Sequence, residues 1–183
     1  MTILQIDSSI TGENSATRQL TKAIVEQLKA RDAGAEVIHR DLAAAPLPHL
    51  TLDAFADTTA LDEFLAADTV VVGAPMYNFT LPTQLKAWID RLTIAGKTFR
   101  YTDNGPEGLV KGKRVIIAIA RGGFYDQGSP AAALEHLESY LRGIFGFIGV
   151  TPEFVIAQGL NISPEHREES IGAALGETTR LAA

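Results

Sequence analysis

The sequence predicts an α/β fold: a doubly wound, five-stranded parallel sheet with helices on both faces. Short apolar runs alternate five times with stretches in which apolar residues recur at helical spacing, which is the pattern of successive βαβ units. The 183 residues include 46% hydrophobic residues, enough to form a full core. Because no linker, repeat or low-complexity tract interrupts the pattern, we expect residues 1–183 to form a single domain.

The first half of the chain is predicted to contain three buried strands and two helices, because its apolar residues change period between these segments. In chain order these are the strand Thr2 to Asp7, a helix from Ser15, the strand Ala35 to His39, a loop over 43–59, a short helix Ala60 to Ala67 and the strand Asp68 to Gly73.

The second half is predicted from the same periodicities, together with serines that can cap helices and prolines that are tolerated in a first helical turn. Its elements are a helix from Pro82 to Ala95, a hairpin around Thr98 to Pro106, the strand Lys113 to Ala120, a helix behind Ser129-Pro130, the strand Phe154 to Gln158 and a last helix behind Ser163-Pro164. Five such strands favour the flavodoxin-like order 2-1-3-4-5, in which ligands bind at the carboxyl ends of strands 1 and 3.

Composition excludes several functional classes. The net charge of −6, without a basic run, argues against nucleic-acid binding. The absence of cysteine excludes disulfides, thiolate chemistry and cysteine–zinc sites. The four histidines lack the spacing of metal ligands, so no metal site is expected. No apolar stretch approaches the roughly 20 residues of a membrane helix, and Met1 to Ile6 do not resemble a signal peptide, so a cytoplasmic protein without membrane association is expected.

The loop after the first strand carries hydroxyl side chains at a helix start. Ser9, Ser15 and Thr17 lie there, but neither a dinucleotide-binding glycine motif nor a P-loop is present. A helix N-terminus offers free amides and a partial positive charge, which together with hydroxyls would hold a phosphate monoester without a metal. The alternative is that Ser15 only caps its helix.

The loop after the third strand, Gly73 to Phe79, combines glycine, proline and two aromatic residues. Tyr77-Asn78-Phe79 follows the strand at the ligand-binding edge, and Asn78 adds an amide that packing does not require. We favour a role in ligand binding over simple core packing of the aromatic rings.

The loop after the fourth strand begins Arg121-Gly122-Gly123, and its glycines would let backbone amides approach a planar ligand closely. For the Arg121 side chain, a solvated loop charge is an equal alternative. Phe124 and Tyr125 either cover a ring or pack locally. The acidic pair Glu135 and Glu138 is interpreted as a solvated helix face.

Several motifs resemble one family, the FMN-dependent NADH-azoreductases, also called FMN-dependent NADH:quinone oxidoreductases. The similarity spans nearly the whole chain and is most specific from Pro75 to Leu109. The motifs that carry it are Ala74 to Phe79, Thr83 to Lys86, Ala95 to Leu109, Arg121 to Gly123 and Gly146 to Gly149.

The resemblance implies a flavodoxin-like homodimer that binds one FMN per subunit, with the active sites at the dimer interface. It assigns the FMN phosphate to Ser9 and Ser15-Ala16-Thr17, the flavin ring to Met76-Tyr77-Asn78-Phe79, and the pyrimidine end of the ring to Ala120-Arg121-Gly122-Gly123. Two departures from the family are Ala120, where many members carry a hydroxyl residue, and a shorter segment between Pro48 and the third strand.

The implied activity is that of an oxidoreductase in which NADH or NADPH reduces FMN and a quinone or azo compound then takes two electrons at the same place, a ping-pong mechanism. No residue is assigned as a catalytic acid or base. Tyr125 and Phe124 are candidates for contact with the substrate. The alternatives are a general NADPH-dependent flavin reductase, a monomeric flavodoxin-type electron carrier, and a fold relative without flavin.

Overall fold

The computed structural model describes residues 1–181, and its main feature is a parallel sheet covered by helices on both faces. The strands are β1 (Thr2–Asp7), β2 (Glu36–Asp41), β3 (Thr69–Pro75), β4 (Phe99–Thr102), β5 (Gly105–Gly108), β6 (Arg114–Ala120) and β7 (Glu153–Ala157). The helices are α1 (Ala16–Arg31), α2 (Thr59–Ala66), α3 (Thr83–Leu92), α4 (Glu138–Phe147) and α5 (Pro164–Leu181).

The main sheet has the order β2-β1-β3-β6-β7, with every pair parallel. Strands β4 and β5 form a separate antiparallel hairpin, in the place predicted for one. When the hairpin is left aside, the order is 2-1-3-4-5, so the predicted fold class is confirmed. The carboxyl ends of β1, β3 and β6 therefore lie side by side at one edge of the sheet.

Two apolar layers hold the helices against the sheet. One face buries α2, α3 and α4 around Phe64, Trp88 and Phe145, and the other buries α1 and α5 around Leu20 and Ile24. All seven residues of β3 are buried, as expected for a central parallel strand covered on both faces. No helix among residues 1–181 is long and apolar enough to cross a membrane.

Strand β3 is longer than predicted. It pairs with β6 as far as Pro75 opposite Ala120, so Ala74 and Pro75 also belong to the strand and the loop begins at Met76. The next helix is shorter than predicted and ends at Leu92, where the Thr98 hydroxyl donates to the Leu92 carbonyl (2.6 Å) and accepts the Ile94 amide (3.0 Å).

The predicted helix start at Ser129-Pro130 is wrong. Residues Ala132–Leu134 form one 3₁₀ turn, and α4 begins only at Glu138. The Glu135 carboxylate accepts the amides of Leu137 (3.0 Å), Glu138 (2.7 Å) and Ser139 (2.9 Å), and so satisfies the free N–H groups of that terminus. Burial alone would raise the pKa of Glu135, but these amides outweigh it and lower the pKa. The cap predicted at Ser163 is present, since its hydroxyl accepts the His166 amide (3.1 Å).

Candidate functional site

A cavity of about 310 Å³ lies at the carboxyl edge of β1, β3 and β6. All three predicted loops contribute to its wall, through Ser9, Ser15 and Ala16, through Met76 and Tyr77, and through Ala120, Arg121 and Gly122. Leu160 and Asn161, in the loop after β7, and Arg167 in α5 complete the wall. The structure thus brings most of the predicted residues together around one space.

The N-terminus of α1 forms one end of this cavity. Ser15 caps the helix, because its hydroxyl accepts the Arg18 amide (3.2 Å) and lies 3.0 Å from the Thr17 hydroxyl. Within the described part of the chain, the amides of Ala16 and Thr17 have no acceptor. Thr17 is fully buried and does not line the cavity, whereas Ala16 does. The free amide of Ala16, at the positive end of the helix, is placed to bind an anion.

An ion pair between Arg18 and Asp41 fixes the position of the first loop. The Arg18 guanidinium donates to both Asp41 carboxylate oxygens (2.7 and 2.9 Å) and to the Ser9 carbonyl (2.9 Å). The hydrogen bonds from Arg18 are the main reason why the pKa of Asp41 falls to about 2. The end of β2, which carries Asp41, therefore holds Ser9 in place.

Tyr77 joins the first loop to the second. Its hydroxyl accepts the Ile10 amide (3.2 Å) and lies 3.3 Å from the Ser9 hydroxyl, which in turn lies 3.0 Å from the Thr11 hydroxyl. The Tyr77 side chain therefore lines the cavity with its hydroxyl held against the first loop.

The second loop turns through two residues in the left-handed region. Asn78 has φ 47° and Phe79 has φ 72°, while Tyr77 and Thr80 exchange backbone hydrogen bonds of 2.9 and 3.1 Å. Asparagine tolerates this conformation, but for a bulky residue such as Phe79 it costs about 1–2 kcal/mol. The turn leaves the amides of Asn78 and Phe79 without an acceptor among residues 1–181.

Asn78 and Phe79 lie at the rim and do not line the cavity itself. The Phe79 ring is 41% exposed and packs edge-on against Tyr125, with ring centroids 6.2 Å apart. Tyr125 also borders a neighbouring cleft beside Arg121. Phe124 is exposed and contacts His166 edge-on. The two candidate substrate residues are therefore rim residues.

The third loop packs tightly against the segment after β7. The carbonyls of Gly122 and Gly123 accept the amides of Asn161 (3.0 Å) and Gly159 (3.1 Å). A Cβ atom at Gly122 would lie 2.5 Å from Asn161 Nδ2, so a side chain there requires Asn161 to move. The amides of Gly122 and Gly123 have no acceptor in the part of the chain that the structure describes, which leaves two donors on this edge.

Arg121 is not a solvated loop charge, so that alternative is wrong. The side chain is 1% exposed, and its guanidinium lies 2.5 Å from Glu138, 3.5 Å from Glu135 and 3.4 Å from Asp126. The interpretation of Glu135 and Glu138 as a solvated face is wrong for the same reason. A buried guanidinium requires carboxylate partners, and this one ties the third loop to the start of α4.

Sequence reasoning missed the wall residues Thr11, Asn14, Asn161 and Arg167. Arg167 lies in the first turn of α5, and its Nη2 donates to the Asn14 carbonyl (2.9 Å), one residue before the cap of α1. A cation in a first helical turn opposes the helix dipole. That unfavourable placement was the one signal in the sequence that could have marked Arg167.

Comparison with known proteins gives a consistent result. A family model described as "Flavodoxin-like fold" matches residues 1–181. The chain is 51% identical to "FMN-dependent NADH:quinone oxidoreductase 2" of Bradyrhizobium diazoefficiens over 201 aligned positions that cover both chains fully. It is 54% identical to the "FMN-dependent NADH:quinone oxidoreductase" of Rhizobium meliloti, covering 95% of this chain and 93% of that one.

A solved structure, an azoreductase from Bacillus anthracis strain Sterne, superposes with a TM-score of 0.89 at 32% identity and covers 100% of this chain and 98% of the other. The alignment with the Bradyrhizobium protein extends over 201 positions, whereas this chain has 183 residues, so that relative carries residues which this chain lacks.

Proposed function

Because the chain belongs to the flavodoxin-like family of FMN-dependent NADH:quinone oxidoreductases and azoreductases, we propose that it passes two electrons from NADH or NADPH, through bound FMN, to a quinone or an azo compound. The nicotinamide donor and the acceptor would occupy the same space in turn, which gives a ping-pong order.

One observation carries the proposal: the two ends of the same cavity differ in chemistry. One end has the hydroxyls and free amides at the start of α1, with Arg167 beside them. The other end is bordered by Pro75, Met76 and the glycine edge at Gly122. A phosphate monoester attached to a planar ring matches these two ends, and FMN is such a molecule.

The proposed contacts follow from the two ends. The phosphate end consists of Ser9, Ser15, Ala16 and Thr17; the ring contacts are Met76, Tyr77, Asn78 and Phe79; the pyrimidine contacts are Ala120, Arg121, Gly122 and Gly123; and the substrate contacts are Phe124 and Tyr125. From Arg121 we propose only packing contact, since carboxylates occupy its guanidinium and its amide donates to the Ala157 carbonyl (2.9 Å).

FMN, when bound, supplies the two-electron chemistry. The chain contributes donors: the free amides of Asn78, Phe79, Gly122 and Gly123 can stabilise negative charge on a planar ligand, as an oxyanion hole does. These donors are fixed in the backbone, so no side chain is required as an acid or base. The mechanism therefore assigns no catalytic residue.

We also propose a homodimer with active sites at the subunit interface. Apolar side chains remain exposed around the rim, among them Ile10 (64%), Ile162 (56%) and Phe124 (43%). A second copy of the chain would cover these side chains, whereas an electron carrier would remain a monomer. The cytoplasmic location stays a prediction.

The test is an anaerobic titration with NADH of protein loaded with FMN and desalted, followed through the visible absorption band of the flavin. Bleaching at about one equivalent supports the proposed reductase. A yellow protein that neither NADH nor NADPH bleaches would indicate a carrier, and a colourless protein would refute the flavin site.

A matched pair of variants locates the phosphate end. Ser15→Asp keeps a good helix cap but adds a negative charge beside the proposed phosphate, so it should fold normally and lose FMN. Ser163→Asp makes the same exchange at the cap of α5, which does not line the cavity. Equal retention of FMN by both variants would contradict the assignment of Ser15.

A further inference from the structure

The buried Arg121 guanidinium is the centre of an ion-pair cluster beside the cavity. Its Nη2 atom lies 2.5 Å from Glu138 and 3.5 Å from Glu135, and its Nη1 atom lies 3.4 Å from Asp126. Asp126 in turn accepts the side-chain amide of Gln158, the residue after β7. One side chain of the third loop is therefore linked to the start of α4 and to the end of β7.

The start of α4 is also linked to the second loop. The His136 amide donates to the Phe79 carbonyl (3.1 Å), and the His136 carbonyl accepts the Thr80 hydroxyl (3.2 Å). His136 directly follows Glu135, whose carboxylate caps α4 and pairs with Arg121. A continuous series of contacts therefore runs from the Arg121 side chain to the turn that contains Phe79.

This turn depends on outside contacts because its backbone is strained. Phe79 has φ 72°, and a bulky residue keeps such a conformation only where its surroundings fix it. The two bonds to His136 are such contacts. Without the Arg121 charge, the Glu135 and Glu138 carboxylates, 14% and 20% exposed, would repel each other and displace the start of α4. The turn would then lose its bonds to His136.

We propose that Arg121 is a positioning residue, which fixes the second loop relative to the third and thereby sets the potential of bound FMN. The second loop offers the free amides of Asn78 and Phe79, and the third offers those of Gly122 and Gly123. Donors held at a fixed separation stabilise negative charge on a planar ligand. Their separation therefore determines how much more tightly reduced FMN binds than oxidised FMN. This inference rests on the proposed function.

The test is Arg121→Met, with FMN affinity measured by fluorescence titration of flavin-free protein and the midpoint potential by anaerobic equilibration with a reference dye. We expect oxidised FMN to bind about ten-fold more weakly. Reduced FMN should lose about ten-fold more than that, which makes the potential of this two-electron couple about 30 mV more negative.

Arg114→Met is the matched control. Arg114 begins the same strand, β6, at the end far from the cavity, and donates to both Glu153 carboxylate oxygens (2.7 and 2.8 Å). Its replacement removes an arginine–carboxylate pair of the same kind, so it should destabilise the protein but leave FMN affinity and potential unchanged. Equal potentials in Arg121→Met and Arg114→Met would overturn the proposal.

Arg121→Lys separates the position of the loops from the charge of the side chain. Lysine keeps the positive charge but lacks the planar fork that reaches several carboxylates. A positioning role therefore predicts a potential close to that of Arg121→Met. Recovery of the parent potential by lysine would show that the charge alone matters, and would refute the positioning role.

Thr80→Val breaks the same series of contacts at its other end, and it decides the question if Arg121→Met does not fold. It removes the bond to the His136 carbonyl, so FMN affinity should fall about three-fold and the potential should become more negative. Because both changes act through the start of α4, the double variant should lose less affinity than the product of the single losses. An unchanged potential in Thr80→Val, or losses that multiply, would contradict the proposal.

The parent protein distinguishes this inference from the proposed function. A parent that takes up no FMN refutes the proposed function. A parent that binds FMN and is bleached by NADH, while Arg121→Met and Thr80→Val keep its potential, refutes only the role of Arg121.

Discussion

Replacing Arg167 by methionine should weaken the binding of FMN and leave the binding of riboflavin, which lacks the phosphate, nearly unchanged. Arg167 borders the cavity beside the start of α1, and its Nη2 donates to the Asn14 carbonyl (2.9 Å). Within residues 1–181 the guanidinium belongs to no ion pair, so its charge is available to a phosphate beside the free amide of Ala16.

The magnitude follows from the exposure of Arg167. A hydrogen bond to a charged group contributes about 1.5–3 kcal/mol when both partners are desolvated. Arg167 is only half-buried, and solvent screening reduces the contribution to about 1 kcal/mol. Loss of the bond to Asn14 also loosens the loop before Ser15. Together these effects predict a loss of about five- to ten-fold in FMN affinity.

The assay is a fluorescence titration of flavin-free protein with FMN and, separately, with riboflavin. Arg180→Met is the control, since Arg180 lies on the same helix and is exposed, with Glu177 as its partner. A phosphate contact also predicts that added salt weakens FMN binding less in Arg167→Met than in the parent protein. Equal losses for both flavins, or no loss of FMN, would refute the phosphate assignment.

Two further predictions concern stability. Gly108→Ala would place a Cβ atom 2.1 Å from the Gly149 amide nitrogen, so we expect a loss of about 3 kcal/mol in the free energy of unfolding by urea. The control is Gly172→Ala on α5, which has open space around it and should be neutral or stabilising. Similar results for both variants would contradict the close packing at Gly108. The folded-state pKa of Asp41 is depressed to about 2, so the pair with Arg18 stabilises fully above about pH 4 and is lost as the pH falls toward 2. Between pH 5 and 2.5 the parent protein should therefore lose about 1–2 kcal/mol more than Asp41→Asn in parallel urea titrations, and equal losses would show that this pair contributes nothing.

The sheet could be predicted from the sequence because its signals are local. β1 has the predicted bounds, because a short apolar run in which Ile3, Leu4 and Ile6 are buried ends before Ser8 and Ser9. The end of β3 could not be predicted, because proline is a poor strand signal and only pairing with β6 extends the strand to Pro75. The predicted start of α4 was wrong for a similar reason. Ser129-Pro130 has the local pattern of a cap, but the Glu135 carboxylate caps the helix instead.

The residues of the cavity wall could be predicted where neighbours in sequence form the wall, and they were missed where residues distant in sequence meet. The loops at Ser9, Tyr77 and Gly122 follow strands directly, so topology alone places them at one edge. Arg167 contacts Asn14 across 153 positions of sequence, and Arg121 reaches Glu138 across 17. Such contacts depend on how α4 and α5 pack, and apolar periodicity carries no information on them.

The contacts of the Tyr77 hydroxyl have a thermodynamic consequence. This group bridges Ser9 and Ile10, so contacts within the chain itself hold the first and second loops together. The conformational entropy of both loops is then lost when the protein folds, and association with a ligand does not lose it again. Tyr77→Phe would transfer that cost to the binding step. It should therefore make the entropy of association less favourable, which calorimetric titration with FMN would measure.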